Sequence, residues 1–87
     1  MDAKQITEAL MKHIIEELLD GDDSDLDENT PLLALGIIDS LATAGLLMFI
    51  EQKLGVPVPD NEVSPRNFMS VAVLRDMILR VQEASKA

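Results

Sequence analysis

Apolar residues recur at three- and four-residue spacing in three separate stretches of the chain, and this period constrains the fold more than any other feature. In the first stretch Ile6, Leu10, Ile14 and Leu18 follow one another at about one helical turn. Met11, Ile15 and Leu19 widen that stripe, while Glu8, Lys12, Glu16 and Glu17 cover the other side. The pattern predicts a helix from about Ala3 to Leu19, stopped by Asp20-Gly21. A second helix is predicted from Asp39-Ser40 to Leu54, with Gly55 as its stop. Its inward stripe is Thr43, Leu46, Leu47, Ile50 and Leu54, with Phe49 at the edge. A third follows Ser70, which is placed to cap it, and turns Val71, Leu74, Ile78 and Val81 inward beside Met77. Between the last two, Val56 to Asp60 must be extended, because each proline disfavours helix in the residue before it. Ser64-Pro65 opens one short turn, with Ser64 capping and Pro65 at the first helical position. The expected architecture is all-α, a small four-helix bundle of three main helices and one short one. A long loop joins the first two helices, and residues 1–87 form a single domain.

Composition agrees with that reading. The chain is 47% hydrophobic, yet only Phe49 and Phe68 are aromatic, so the core must be built from Leu, Ile, Val, Ala and Met. This palette suits helix packing better than a sandwich. The net charge of −9 excludes a phosphate-binding basic stripe, and with it nucleic acid, and it disfavours an anionic membrane surface. Absence of cysteine removes disulfides and thiolate metal sites. The start, Met1 to Gln5, lacks the pattern of a secretory signal, and Leu41 to Ile50 is too short to span a bilayer. These features lead us to expect a cytoplasmic protein.

Half of the sixteen acids lie between Glu16 and Glu28. A calcium loop fails there, because no register starting at Asp20, Asp22 or Asp23 places Gly sixth and Glu twelfth. The segment reads as a solvated loop, and no metal site is expected. Leu32, Leu33, Leu35, Ile37 and Ile38 then form an apolar stretch without a clean period, predicted to pin the loop to the core.

The loop runs into Gly36-Ile37-Ile38-Asp39-Ser40-Leu41, where polar residues interrupt an apolar run at a helix start. Asp39 and Ser40 are both able to cap the first turn. The same helix start favours an anion, through its dipole and its free N–H groups. A phosphodiester on Ser40 would sit in that field, on a hydroxyl presented at a projecting corner.

Pro31 to Leu41 resembles the modification site of acyl carrier and peptidyl carrier proteins, a hydrophobic loop followed by Gly-x-x-Asp-Ser-Leu. The resemblance continues through Phe49 to Asp60 and Ser64 to Val71, nearly the whole chain from Pro31 onward. It implies an acyl-carrier-like bundle in which Ser40 receives 4′-phosphopantetheine from coenzyme A. A separate phosphopantetheinyl transferase does the work, with Asp39 helping it recognise the site. The arm then holds acyl or aminoacyl groups as thioesters, so the reactive chemistry is the cofactor's and the chain is not an enzyme. The implied partners are that transferase, an acyl- or aminoacyl-loading enzyme, and condensing or other cargo-processing enzymes, all visited by a monomer.

The second helix is the family's main partner surface, and its exposed face here is expected to hold Leu41, Ala42, Ala44, Gly45, Met48 and Glu51. Fatty-acid carriers are rich in acids on that helix, whereas this chain has only Glu51 between Ser40 and Leu54. Apolar contact through Leu41, Ala44 and Met48 is therefore expected to carry docking. The lean is toward nonribosomal peptide or polyketide-type biosynthesis, with fatty-acid synthesis and D-alanyl transfer as alternatives. From another class comes an unmodified helical interaction module using the same face. Phe68 is either a cargo contact or a core residue, and Met48, Met69 and Met77 could line an adaptable pocket, with core packing the default for Met77. His13, the only histidine, is expected to be structural: no Gly-x-Ser-x-Gly elbow exists to make Ser40 a hydrolase nucleophile with it.

Overall fold

The structure, a computed structural model, describes residues 2–19, 21 and 26–86, the last two in backbone only. Asp20 and residues 22–25, the heart of the acidic segment, lie outside the described residues. The helices are α1 (Ala3–Leu18), α2 (Ser40–Gln52) and α3 (Val71–Lys86), with two short 3-10 turns at Asp60–Glu62 and Pro65–Phe68 and no strand among the described residues. The all-α expectation holds, with the fourth helix reduced to a single 3-10 turn.

Each α-helix begins on a side-chain cap. Asp2 starts α1 through a reciprocal box: Gln5 N–H donates to Asp2 Oδ1 at 2.8 Å, and Asp2 N–H donates to Gln5 Oε1 at 3.0 Å. Ser70 Oγ accepts from Val73 N–H at 3.2 Å, as its position before α3 predicts. The helix stops are also as read. Gly21 has φ +86° and donates to Ile15 O at 2.8 Å, and Gly55 has φ +70° just beyond α2. α2 ends at Gln52, two residues short of the predicted Leu54, because Leu54 N–H reaches back five residues to Phe49 O, which Lys53 N–H already bonds, and leaves the α-helical pattern.

α1 packs along α3, and the Pro65–Phe68 turn packs on α3 as well. Their stripes meet in one core: Ile6, Leu10 and Ile14 from α1, Leu46 and Ile50 from α2, and Val71, Leu74, Met77, Ile78 and Val81 from α3. Val56 and Val58, in the extended segment, and Phe68 complete it. Thr43, Leu47 and Leu54, read as fully inward, are only half-buried, since α2 lies on the bundle with a narrower face than its apolar content suggested.

The long loop is tied to the start of α3. Leu32 N–H donates to Met69 O at 2.8 Å, Ala72 N–H donates to Glu28 O at 2.8 Å, and Arg75 pairs with Glu28 at 3.4 Å. Burial lowers the proton affinity of Arg75, but Asp76 and Glu28 outweigh it and hold the guanidinium's pKa above its ordinary value. Leu26, Leu32 and Ile38 anchor the loop in the core. Leu35, expected to help, instead points outward at 63% exposure, because the turn bonds Leu35 N–H to Pro31 O and Gly36 N–H to Leu33 O lift it off the bundle.

Two further differences concern the segment before α3. The extended run stops at Pro59, and Asp60–Glu62 closes a 3-10 turn through Glu62 N–H to Pro59 O at 2.9 Å. Ser64 precedes the next turn but its side chain makes no cap; its carbonyl accepts from Asn67 N–H at 3.0 Å instead. Asn67 is buried and donates through Nδ2 to Glu62 O at 2.6 Å, while Glu62 pairs with Arg80 of α3 at 3.2 Å. Among the described residues every buried side-chain polar atom has a partner, as low-dielectric burial demands.

Candidate functional site

The corner expected to carry chemistry is built by three local features. Gly36, at φ +71°, turns the loop in a left-handed conformation that side-chain-bearing residues avoid. Ile38 then enters the core at 2% exposure and fixes where the chain must start its helix. Asp39 takes the cap: its Oδ1 accepts from Ala42 N–H at 2.9 Å, and its carbonyl accepts from Thr43 N–H at 2.8 Å.

Both residues had been read as able to cap, but Asp39 does so alone. Ser40 becomes the first residue of α2, exposed, and its hydroxyl makes no hydrogen bond to a described residue. The N–H groups of Ser40 and Leu41 sit in the first turn, where a helix has no partner of its own for them.

An open cleft of about 450 Å³ adjoins Ser40. Asp39, Ser40 and Thr43 of the α2 start line it, with Leu33 from the loop and Val63, Ser64, Pro65 and Phe68 from the segment before α3. Phe68 combines both roles weighed for it: it lines the cleft, yet at 1% exposure it is also a core residue. Thr43, Val63 and Ser64 were missed as cleft residues. No spacing signal links them, since three distant segments meet here.

The outer face of α2 is apolar, as expected. Leu41 is 82% and Met48 58% exposed, with Ala44, Gly45 and Glu51 also outward. Ala42, placed on this face by count, is half-buried against the core instead. Met69 is exposed and Met77 fully buried, so no methionine-lined pocket joins them.

His13 stands apart from this corner. It stacks on Phe49 with ring centroids 4.2 Å apart, in a groove between α1 and α2 lined by Lys12, Glu16, Gly45 and Met48. It does not share the Ser40 cleft, so the two do not form a nucleophile–base pair. Among the described residues no group of three His, Asp or Glu side chains is placed to hold a metal ion, and no helix is long and apolar enough to cross a membrane.

Comparison with known proteins gives the corner its context. A family described as "Phosphopantetheine attachment site" matches residues 9–81. The chain is 36% identical over 73 residues to a probable acyl carrier protein, PigG, of Serratia sp. (strain ATCC 39006), covering 84% of each. It is 41% identical over 49 residues to the D-alanyl carrier protein of Listeria monocytogenes serotype 4b, covering 56% of this chain and 63% of that one. Among solved structures it resembles, at 46% identity and a TM-score of 0.72, a chain in one described as a crystal structure of FAD-dependent dehydrogenase, covering 79% of this chain and 97% of that one. The family carries 4′-phosphopantetheine on a serine, and its members interact with phosphopantetheinyl transferases and biosynthetic enzymes. The chain belongs to the phosphopantetheine attachment site family and is a phosphopantetheine-dependent carrier protein.

Proposed function

We propose that Ser40 is the serine that receives the arm. The observation that carries this is the exposed Ser40 hydroxyl at the start of α2, left free because Asp39 alone caps the helix. The arm's phosphodiester fits the spot: the first-turn N–H groups and the positive end of the helix dipole favour an anion there. Bound at Ser40, the arm supplies a thiol that holds cargo as a thioester. The chain itself positions the hydroxyl, caps the helix beneath it through Asp39, and offers the cleft beside it. We read it as a single-domain, monomeric, cytoplasmic carrier and not an enzyme, with the reactive chemistry left to the arm and its partners.

Leu41, Ala44, Met48 and Glu51 form the surface that meets the transferase, the loading enzyme and the cargo-processing enzymes, and Phe68 touches cargo from the cleft wall. The outward apolar side chains of α2, with Glu51 its one acid, support a nonribosomal peptide or polyketide-type pathway over fatty-acid synthesis. A flavin-dependent dehydrogenase is a further candidate partner. The solved chain this one resembles is only about as long as the matched region, too short for a dinucleotide-binding flavoenzyme, and its structure is described as that of such an enzyme.

Incubation with coenzyme A and a broad-specificity phosphopantetheinyl transferase tests the assignment by intact mass. The wild type is expected to gain one phosphopantetheine, and Ser40→Ala none. An unchanged gain on Ser40→Ala would move the arm to another residue.

A further inference from the structure

The cleft beside Ser40 meets the core at Phe68. Phe68 lines the cleft and, at 1% exposure, belongs to the same buried core as Leu46, Val71 and Leu74, each fully buried. A close-packed interior of this kind has no room for a further chain unless a side chain leaves.

Phe68 is also poorly placed to leave. The turn that carries it is fastened at both ends by backbone bonds: Asn67 N–H to Ser64 O at 3.0 Å before it, and Leu32 N–H to Met69 O at 2.8 Å after it. The buried Asn67 adds its 2.6 Å bond to Glu62 O, and Glu62 is itself held by Arg80 of α3. The cleft itself is open and is walled by apolar Leu33, Val63 and Pro65 as well as polar Asp39 and Thr43, so cargo has room to lie along it without entering the core.

From this we infer that Phe68 is a barrier between the cleft and the core. It keeps cargo outside the bundle, so the carrier does not shelter a long alkyl chain among its helices. This rests on the arm being attached at Ser40, and it adds the residue that decides where the cargo lies.

The test uses the full chain loaded by the transferase with acetyl-, hexanoyl- or decanoyl-phosphopantetheine from the matching acyl-coenzyme A, each form verified by intact mass. Two quantities are read: the thermal midpoint, and the rate at which hydroxylamine cleaves the thioester. For the wild type both are expected to be the same across the series. Sheltering would instead raise the midpoint with chain length and slow cleavage, by about tenfold if the chain spends a tenth of its time outside. That result would overturn the inference.

In Phe68→Val the space vacated by the ring should admit the chain. The decanoyl form should then become more protected and more heat-stable than the acetyl form of the same variant, a comparison in which any general loss of stability cancels. A flat series in a folded Phe68→Val would remove Phe68 from its role. Failure to gain any acyl-phosphopantetheine mass would instead strike the Ser40 assignment, and the inference with it.

Discussion

α2 and α3 draw on the same aliphatic residues but turn them in different directions. α3 buries Val71, Leu74, Met77, Ile78 and Val81, and shows Asp76, Arg80 and Glu83 to solvent. α2 buries Leu46 and Ile50 and at the same time exposes Leu41 and Met48 beside Ala44 and Gly45. Among the described residues no large apolar side chain is exposed on α1 or α3. Solubility and folding explain the charged exterior of α3 without further purpose. They do not ask α2 to keep a leucine at 82% exposure one residue after the free serine. Such exposure is what the docking face proposed for α2 requires, and the comparison sets a scaffold helix against a proposed working one.

Four experiments press on that distinction. Ser40→Ala should abolish phosphopantetheine attachment while changing unfolding free energy by less than about 0.5 kcal/mol, as for an exposed side chain without partners. Loss of stability together with attachment would make Ser40 part of the scaffold after all.

Leu74→Ala, on the scaffold side, should cost about 2–5 kcal/mol in denaturant unfolding, against less than about 0.5 kcal/mol for Leu41→Ala. Equal costs would erase the contrast between the two helices.

Met48→Glu should slow cargo transfer to or from a cognate enzyme by about tenfold, the equivalent of one interface anchor. Glu51→Gln should change it by less than about twofold, the range of an exposed charge pair. The reverse ranking in steady-state transfer rates would show that α2 docks by charge.

Asp39→Ala should cost about 1 kcal/mol of stability through the lost cap, and Asp39→Asn only a few tenths, because Asn caps as well as Asp. If attachment slows equally in both variants, the transferase reads the Asp39 charge. If only Asp39→Ala slows, it reads the geometry that the cap maintains.

Much of the scaffold was legible because helices are local. The periods of Ile6–Leu18 and Val71–Val81 named the buried residues of α1 and α3, and Gly21 and Gly55 marked stops that the left-handed backbone there requires. The corner was legible for the same reason: a loop glycine, a buried isoleucine, a capping aspartate and a serine lie within five residues of chain. The Asp2–Gln5 capping box was written in the sequence too, as Asp followed three residues later by Gln, and went unread.

What failed to show was non-local. The turn at Asp60–Glu62 is coupled to Asn67 and, through Glu62, to Arg80 on α3. His13 meets Phe49 across two helices. Nothing in a linear pattern distinguishes these pairs from solvated polar residues and a stripe edge.

By itself the sequence determined three helices, the main inward residues of the first and third, and a serine presented at the start of the second one, since hydrogen bonds and side-chain periods within one turn decide all of these. Only the tertiary structure decided that Leu33, Thr43, Val63 and Phe68 would share a cleft at Ser40, and that Phe68 would be buried while lining it. These outcomes depend on how separate segments settle against one core, where each side chain's place is fixed by the volume its distant neighbours leave.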